Sequence, residues 1–182
     1  MPRIPPVNDS ELKPSVKRAF ERHVKEYHAR ITNMKATLGH SLLSFEVYMQ
    51  WYPLYREAEH ILGKRLAYLF AWSISNAADC PLCSTFFRKI IIDAGEKPES
   101  LVLSPVEQDV LTFGSNIAKQ HGNIANDVYD AIAKTYTSEE MVVLVAFAGQ
   151  MIATNIFNNV METSIDDYLL EYLPSPPNAF FK

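Results

Sequence analysis

Apolar positions recur at helical spacing along most of the chain. From Pro14 to Asn33, residues Val16, Phe20, Val24, Tyr27 and Ile31 fall three or four apart, behind a proline suited to a first turn, and predict a helix with one buried face. A second helical stretch, about Leu42 to Ile61, carries Phe45, Met49, Trp51, Tyr52 and Leu54 and is expected to be bent or interrupted near Pro53. Beyond Gly63, residues 64–78 are almost wholly apolar, which suits a central helix rather than a solvent-facing one. Pro81 is placed like a first-turn proline for a helix bearing Phe86, Phe87, Ile90 and Ile91 and stopped at Gly95. Ser104-Pro105-Val106-Glu107 and Thr137-Ser138-Glu139-Glu140 have the residues of capping boxes. The first opens a helix to about Gly122 and the second a long helix to about Met161, with a short helix from about Asn126 to Tyr136 between them. No strand pattern competes, so the expected fold class is all-α.

Length and charge narrow the picture. A chain of 182 residues has room for one domain with a substantial core. The expectation is a single helical domain over 1–182, with a proline-rich arm at 1–9 and a tail from about 170 to 182 that is either disordered or docked on a neighbour through Phe180 and Phe181. The net charge is -4 and the basic residues are scattered, which argues against a nucleic-acid or acidic-membrane partner. No run of 18 uncharged apolar residues is present, and Met1-Pro2-Arg3-Ile4-Pro5-Pro6 lacks the apolar run of a signal peptide. The expected location is cytoplasmic.

The two cysteines stand together in Cys80-Pro81-Leu82-Cys83. Random placement would give this spacing only about one time in a hundred, so it carries information. The leading reading is a dithiol/disulfide centre. Structural zinc, a structural disulfide and two inert packed thiols compete with it. Zinc requires four ligands and the nearest histidines in sequence are His60 and His121. A disulfide across four residues would remove only about 2 kcal/mol of unfolded-state entropy. At a helix start, the positive end of the backbone dipole and the open N–H groups favour a thiolate. Asp79 opposes that charge unless its carboxylate caps the helix, and capping is the expected role. No Gly-rich phosphate loop, HExxH or G-x-S-x-G occurs, and no cofactor box is visible. The paired acids Glu57/Glu59, Glu139/Glu140 and Asp166/Asp167 read as solvated faces.

An apolar helix ending in Ser75-Asn76-Ala77-Ala78-Asp79, followed by Cys-x-x-Cys opening the next helix, resembles the carboxymuconolactone decarboxylase-like superfamily. More narrowly, it resembles the alkyl hydroperoxidase D-like (AhpD-like) branch. Leu103-Ser104-Pro105, Tyr136-Thr137-Ser138-Glu139-Glu140 and Asn155-Ile156-Phe157-Asn158 extend the resemblance, which covers roughly residues 38 to 168. It implies an AhpD-like helical bundle that assembles as a trimer or hexamer. It also implies a peroxidase active in antioxidant defence, acting on hydroperoxide or disulfide substrates and recycled by a thiol reductant. Cys83 matches the attacking cysteine and Cys80 its disulfide partner, whereas thioredoxin-like reasoning favours Cys80 as the more exposed of the two.

The family's proton relay places a glutamate and a histidine where this chain has Tyr68 and Phe87. Neither is a base near pH 7, so a general-base contribution of typically ~10²-fold or more is removed. Glu57, Glu59 and His60 on the preceding helical stretch are candidate substitutes, and Tyr68 is a candidate hydrogen-bond donor to a sulfur. Two other readings follow: a non-catalytic or redox-sensing oligomer that lost the relay, and a carbon-acid enzyme such as a lactone decarboxylase. Self-association is expected through the small residues Ala146, Ala148, Gly149 and Ala153 of the final helix and through the Trp51/Tyr52 region.

Overall fold

A computed structural model describes residues 1–174. Its α-helices are α1 (Pro14–Tyr27), α2 (Asn33–Leu38), α3 (Leu42–Tyr48), α4 (Trp51–Leu62), α5 (Lys64–Ala77), α6 (Pro81–Asp93), α7 (Pro105–Lys119), α8 (Asn126–Ala133) and α9 (Ser138–Met161). Among the described residues there is no strand, and the fold is all-α.

The apolar run after Gly63 forms α5, which packs against α4, α6, α7 and α9. From Leu66 to Ala71 its side chains are at most 7% exposed, so the helix is surrounded as its composition requires. Phe70, Phe113 of α7 and Phe147 of α9 are fully buried around it, with ring centroids 6.5 Å apart for Phe70 and Phe113 and 6.1 Å for Phe70 and Phe147. Each such side chain contributes roughly 1.5–3 kcal/mol relative to exposure. A Cβ on Gly114 would lie 2.6 Å from the Phe70 ring, so glycine permits this close crossing of α5 and α7. Both capping boxes form, from Ser104 with Glu107 and from Thr137 with Glu140.

The N-terminal region departs from the sequence expectation. Instead of one helix to Asn33, α1 ends at Tyr27, His28 turns left-handed with φ 49°, and α2 starts afresh behind a Thr32 cap. The break leaves the Arg30 carbonyl free to accept from the buried Lys35 ammonium at 2.8 Å. A buried cation without such partners would be costly. The second stretch is interrupted at Met49-Gln50, just ahead of Pro53, which sits in the first turn of α4, where its missing N–H costs little. α1, α2 and α3 enclose a second small core with Val16, Phe20, Leu38 and Phe45. The proline-rich arm lies against the end of α9, with the Arg3 N–H donating to the Met161 carbonyl at 2.9 Å. After α9, a 3₁₀ segment, Asp167–Tyr172, packs on α6. Phe180 and Phe181 lie outside the described residues.

Although the chain has no uncharged apolar run of 18 residues, α9 has the length and composition of a membrane-crossing helix, with mean hydropathy 1.6. One face buries Leu144, Phe147, Ala148 and Met151 in the bundle, while Val142, Val145, Ile156 and Val160 on the other are at least 45% exposed.

His23 of α1 is 3% exposed, ringed by Tyr27, Phe45 and Tyr52, and neither ring nitrogen has a hydrogen-bond partner among the described residues. Burial, with the Lys35 charge adding to it, lowers its pKa from 6.5 to about 4. The folded state therefore binds this proton less readily than the unfolded state. Stability from this group is complete above pH 6.5 and is lost as pH falls toward 4. Urea denaturation of the parent and of His23→Leu should show a smaller loss between pH 7 and pH 4 in the variant; identical losses would exclude His23 as a contributor.

Candidate functional site

The cysteine motif sits where α5 hands over to α6. Asp79 N–H donates to the Asn76 carbonyl (3.1 Å) and Cys80 N–H to the Ser75 carbonyl (3.1 Å), the pair of bonds that closes a Schellman turn. Asp79 occupies its left-handed position with φ 47°, a conformation that Asp tolerates better than most residues. Cys80 is also the N-cap of α6: its Sγ accepts from the Cys83 N–H at 3.4 Å. The expected Asp79 cap is not formed, because this side chain is exposed and the cap position belongs to Cys80. The turn is held from outside by Asn159 of α9, whose amide donates to the Ala78 (3.1 Å) and Asp79 (3.2 Å) carbonyls.

Both cysteines are free thiols and both are buried, Cys80 at 1% and Cys83 at 5% exposure. They are not equivalent. The Cys83 thiol, followed by the Cys83 and Leu82 backbone N–H groups, directs hydrogen at Cys80 and lowers its pKa. Cys83 moves well upward, because it donates to Cys80 and is buried, although Asn158 Nδ2 donates to its Sγ at 3.2 Å and opposes the shift. The first negative charge of the pair therefore belongs on Cys80, at the helix N-terminus.

Cys83, and not Cys80, is among the residues lining a pocket with about 110 Å³ of space. Trp51, Phe86, Phe87 and Met151 give it an apolar wall, and Lys35, Tyr52, Asp166 and Asn158 supply polar groups. The pocket lies between the main core and the small N-terminal core. Lys35 is 7% exposed, and burial lowers its pKa to about 8 while Asp166 pulls the other way. Burial also raises the Asp166 carboxyl above its ordinary value and Tyr52 to about 12. At neutral pH the Tyr52 hydroxyl keeps its proton.

Sequence comparison matches the chain to no protein-family model and to no curated protein. Structural comparison is positive. The apo debrominase Bmp8 superposes with TM-score 0.77 at 18% identity over 93% of this chain and 95% of that one. A cysteine-to-alanine variant of Bmp8 in complex with 2,3,4-tribromopyrrole does so with TM-score 0.77 at 17% identity and the same coverage. A peroxidase-related protein from Ralstonia eutropha JMP134 with an alkylhydroperoxidase AhpD core gives 0.71 at 14% identity over 92% of this chain and 94% of that one. The chain has the AhpD-like fold. The likeness takes in more of the chain than residues 38 to 168, the extent of the motif resemblance.

Within the AhpD-like fold, the sequence-derived candidates separate. Cys80 and Cys83 come together, and Phe87 joins the pocket wall. Tyr68 is buried, but its hydroxyl donates to Glu96 at 2.9 Å rather than to a sulfur; Glu96 is in turn paired with Arg65. His60 is exposed and acts electrostatically on Glu140, about 27 Å along α9 from Asn158 at 1.5 Å per residue. Glu57 is exposed on the same helix and Glu59 is half-buried there, and neither lines the pocket. Asp166, read from the sequence as one of a solvated acidic pair, instead lines the pocket. Trp51 and Tyr52, expected at a subunit surface, are taken up in the pocket wall. Asn158, Asn159 and Lys35 carried no expectation as site residues; the Asn-Asn pair closing an otherwise apolar helix was the available signal.

Thiolate absorbance against pH should rise in two steps, one shifted down from the ordinary thiol value and one shifted up from it. Cys80→Ser should abolish the lower step. A lower step that survives in that variant would assign the first charge to Cys83.

Proposed function

We propose that this chain is a thiol-dependent oxidoreductase in which Cys83 attacks the substrate and Cys80 completes a disulfide. The observation that carries the reading is the division of labour at the motif: Cys83 opens on the pocket, and Cys80 sits behind it at the helix N-terminus. With Tyr68 and Phe87 at the relay positions, the base nearest to the Cys83 thiol is the Cys80 thiolate. Cys83 passes its proton to Cys80 as its sulfur attacks. With a hydroperoxide, the Cys83 sulfur bonds to the outer oxygen, the O–O bond breaks and an alcohol leaves with a solvent proton. Cys80 then attacks the resulting sulfenic acid, water departs with the Cys80 proton, and a disulfide remains. Two thiols and one hydroperoxide thus give a disulfide, an alcohol and water, and an external dithiol restores the pair.

A second reading uses the same centre for reductive dehalogenation: two thiols and an aryl halide give a disulfide, the arene and a hydrogen halide. The aromatic pocket wall beside Cys83 favours it, as does the fold likeness to a debrominase. Stopped-flow oxidation of the reduced protein by hydrogen peroxide, cumene hydroperoxide and 2,3,4-tribromopyrrole tests both readings, with thiol loss and bromide release as readouts. The expected result is loss of two thiols per chain with at least one of these oxidants. Cys83→Ser should abolish the reaction, and Cys80→Ser should slow it by about 10²-fold, the scale of a general base. Oxidation no faster than that of a free thiol in solution would reject an enzyme and favour the redox-sensing reading.

The exposed Val142, Val145, Ile156 and Val160 stripe of α9 supports a further proposal, that the chain self-associates through this helix. A Cβ on Gly149 of the same helix would meet nothing within 4 Å, so close approach of a second chain encounters no obstacle there. Light scattering should report a mass above 20.7 kDa, and Val145→Lys with Ile156→Lys should return it to that value. A parent that is already monomeric at high concentration would reject the interface.

A further inference from the structure

The pocket holds more hydrogen-bonding capacity than its own residues use. An ammonium has three donors, and Lys35 spends two of them, on the Arg30 carbonyl and the Tyr52 hydroxyl oxygen, each at 2.8 Å. The Tyr52 hydroxyl proton has no acceptor among the described residues. On the acceptor side, Asp166 Oδ1 takes the Asn33 N–H at 2.9 Å, while Asp166 Oδ2 is buried without a partner among the described residues. Asn158 Oδ1 is in the same condition, while the amide nitrogen of that side chain donates to Cys83. Lys35, Tyr52, Asp166 and Asn158 line the cavity onto which Cys83 opens. Buried acceptors left open are costly, and a ligand that supplies a donor and an acceptor together relieves the cost.

Size restricts that ligand. The space of about 110 Å³ is of the same order as the roughly 150 Å³ apolar cavity that holds benzene, a scale that suits a single ring beside the Cys83 sulfur. Trp51 and Phe87 offer the aromatic surface on which a flat ring packs.

We infer that the pocket binds a monocyclic aromatic compound bearing a ring hydroxyl, with the ring against Trp51 and Phe87 beside the Cys83 sulfur and the hydroxyl between Lys35 and Asp166. A hydroxyl both donates and accepts, so it serves the carboxylate and the ammonium at once. A carboxylate substituent would set a second anion beside Asp166, and an unsubstituted ring would leave both groups open. The assignment deepens the oxidoreductase reading by naming the class of organic molecule the Cys83 thiol meets, and it rests on that reading only for what happens after binding.

The test is a ligand-observed NMR titration of the full chain with phenol, toluene and benzoate, first with both cysteines changed to serine and then with the parent. Phenol should bind about tenfold more tightly than toluene, the discrimination expected of a hydrogen bond to a charged group, and benzoate more weakly than phenol. Lys35→Met should reduce the phenol preference to near unity, and Tyr52→Phe, which removes one hydroxyl without altering the ring, should reduce it in part. Equal affinity for phenol and toluene, tighter benzoate binding, or no phenol binding would overturn the assignment, and none of these comparisons on the parent depends on a variant folding. If phenol binds as stated while peroxides and tribromopyrrole leave the dithiol unoxidised, the oxidoreductase reading fails and the pocket assignment stands. If the dithiol is oxidised while phenol and toluene bind alike, the pocket assignment alone fails.

Discussion

Cys80 serves two helices at once, and the arrangement of the site follows from that double duty. It is the residue whose N–H closes the end of α5 and the residue whose sulfur caps the start of α6. With both its backbone and its side chain committed, the turn has little freedom, and the side chain one helical turn later, Cys83, is aimed as the axis of α6 dictates. The Asn159 amide holds the same turn through two carbonyls, so the register of α9 against the α5–α6 junction is set at the point where Asn158 meets the Cys83 sulfur. A neutral side-chain donor on a buried sulfur directs it without committing it to a charge.

Access and acidity are divided between the cysteines. The Cys83 thiol, with the backbone N–H groups at the helix N-terminus, gives Cys80 the better-stabilised thiolate, while the pocket is available to Cys83. In a site with a separate base, the accessible sulfur is ionised by that base; with Tyr68 turned to Glu96 and Phe87 in the pocket wall, neither relay position supplies one. On the proposed reading, the pair itself moves the proton. A short hydrogen-bonded step between two sulfurs is physically open to it, because both groups are thiols and are held one helical turn apart.

The pocket is composite. Its walls come from α2, α3, α4, α6, α9 and the segment after α9, and it lies between the two hydrophobic cores. The break after α1 contributes to that placement: it leaves the Arg30 carbonyl outside a helix, where it receives the Lys35 ammonium. The small N-terminal core therefore does more than cover the bundle, since it carries a charged group to the wall of the thiol pocket.

The helical class, the central position of α5, both capping boxes and the opening of α6 at the cysteine pair are legible in the chain before it folds, because each depends on residues within a few positions of one another. Apolar spacing, a proline in a first turn and a Ser or Thr three residues before a Glu act locally, and local signals survive without knowledge of the fold. Folding alone settles which sulfur meets the pocket, that Tyr68 serves Glu96, that His60 lies far from the thiols, and that Lys35 and Asp166 are site residues. Those outcomes depend on contacts between segments far apart in the chain: 133 positions separate Asn33 from Asp166, and 75 separate Cys83 from Asn158. Burial changes the chemistry of such groups, since a lysine or an aspartate that would be a solvated charge on an isolated helix becomes a partner-seeking one inside a closed bundle. That change comes from packing, which no spacing along the chain encodes.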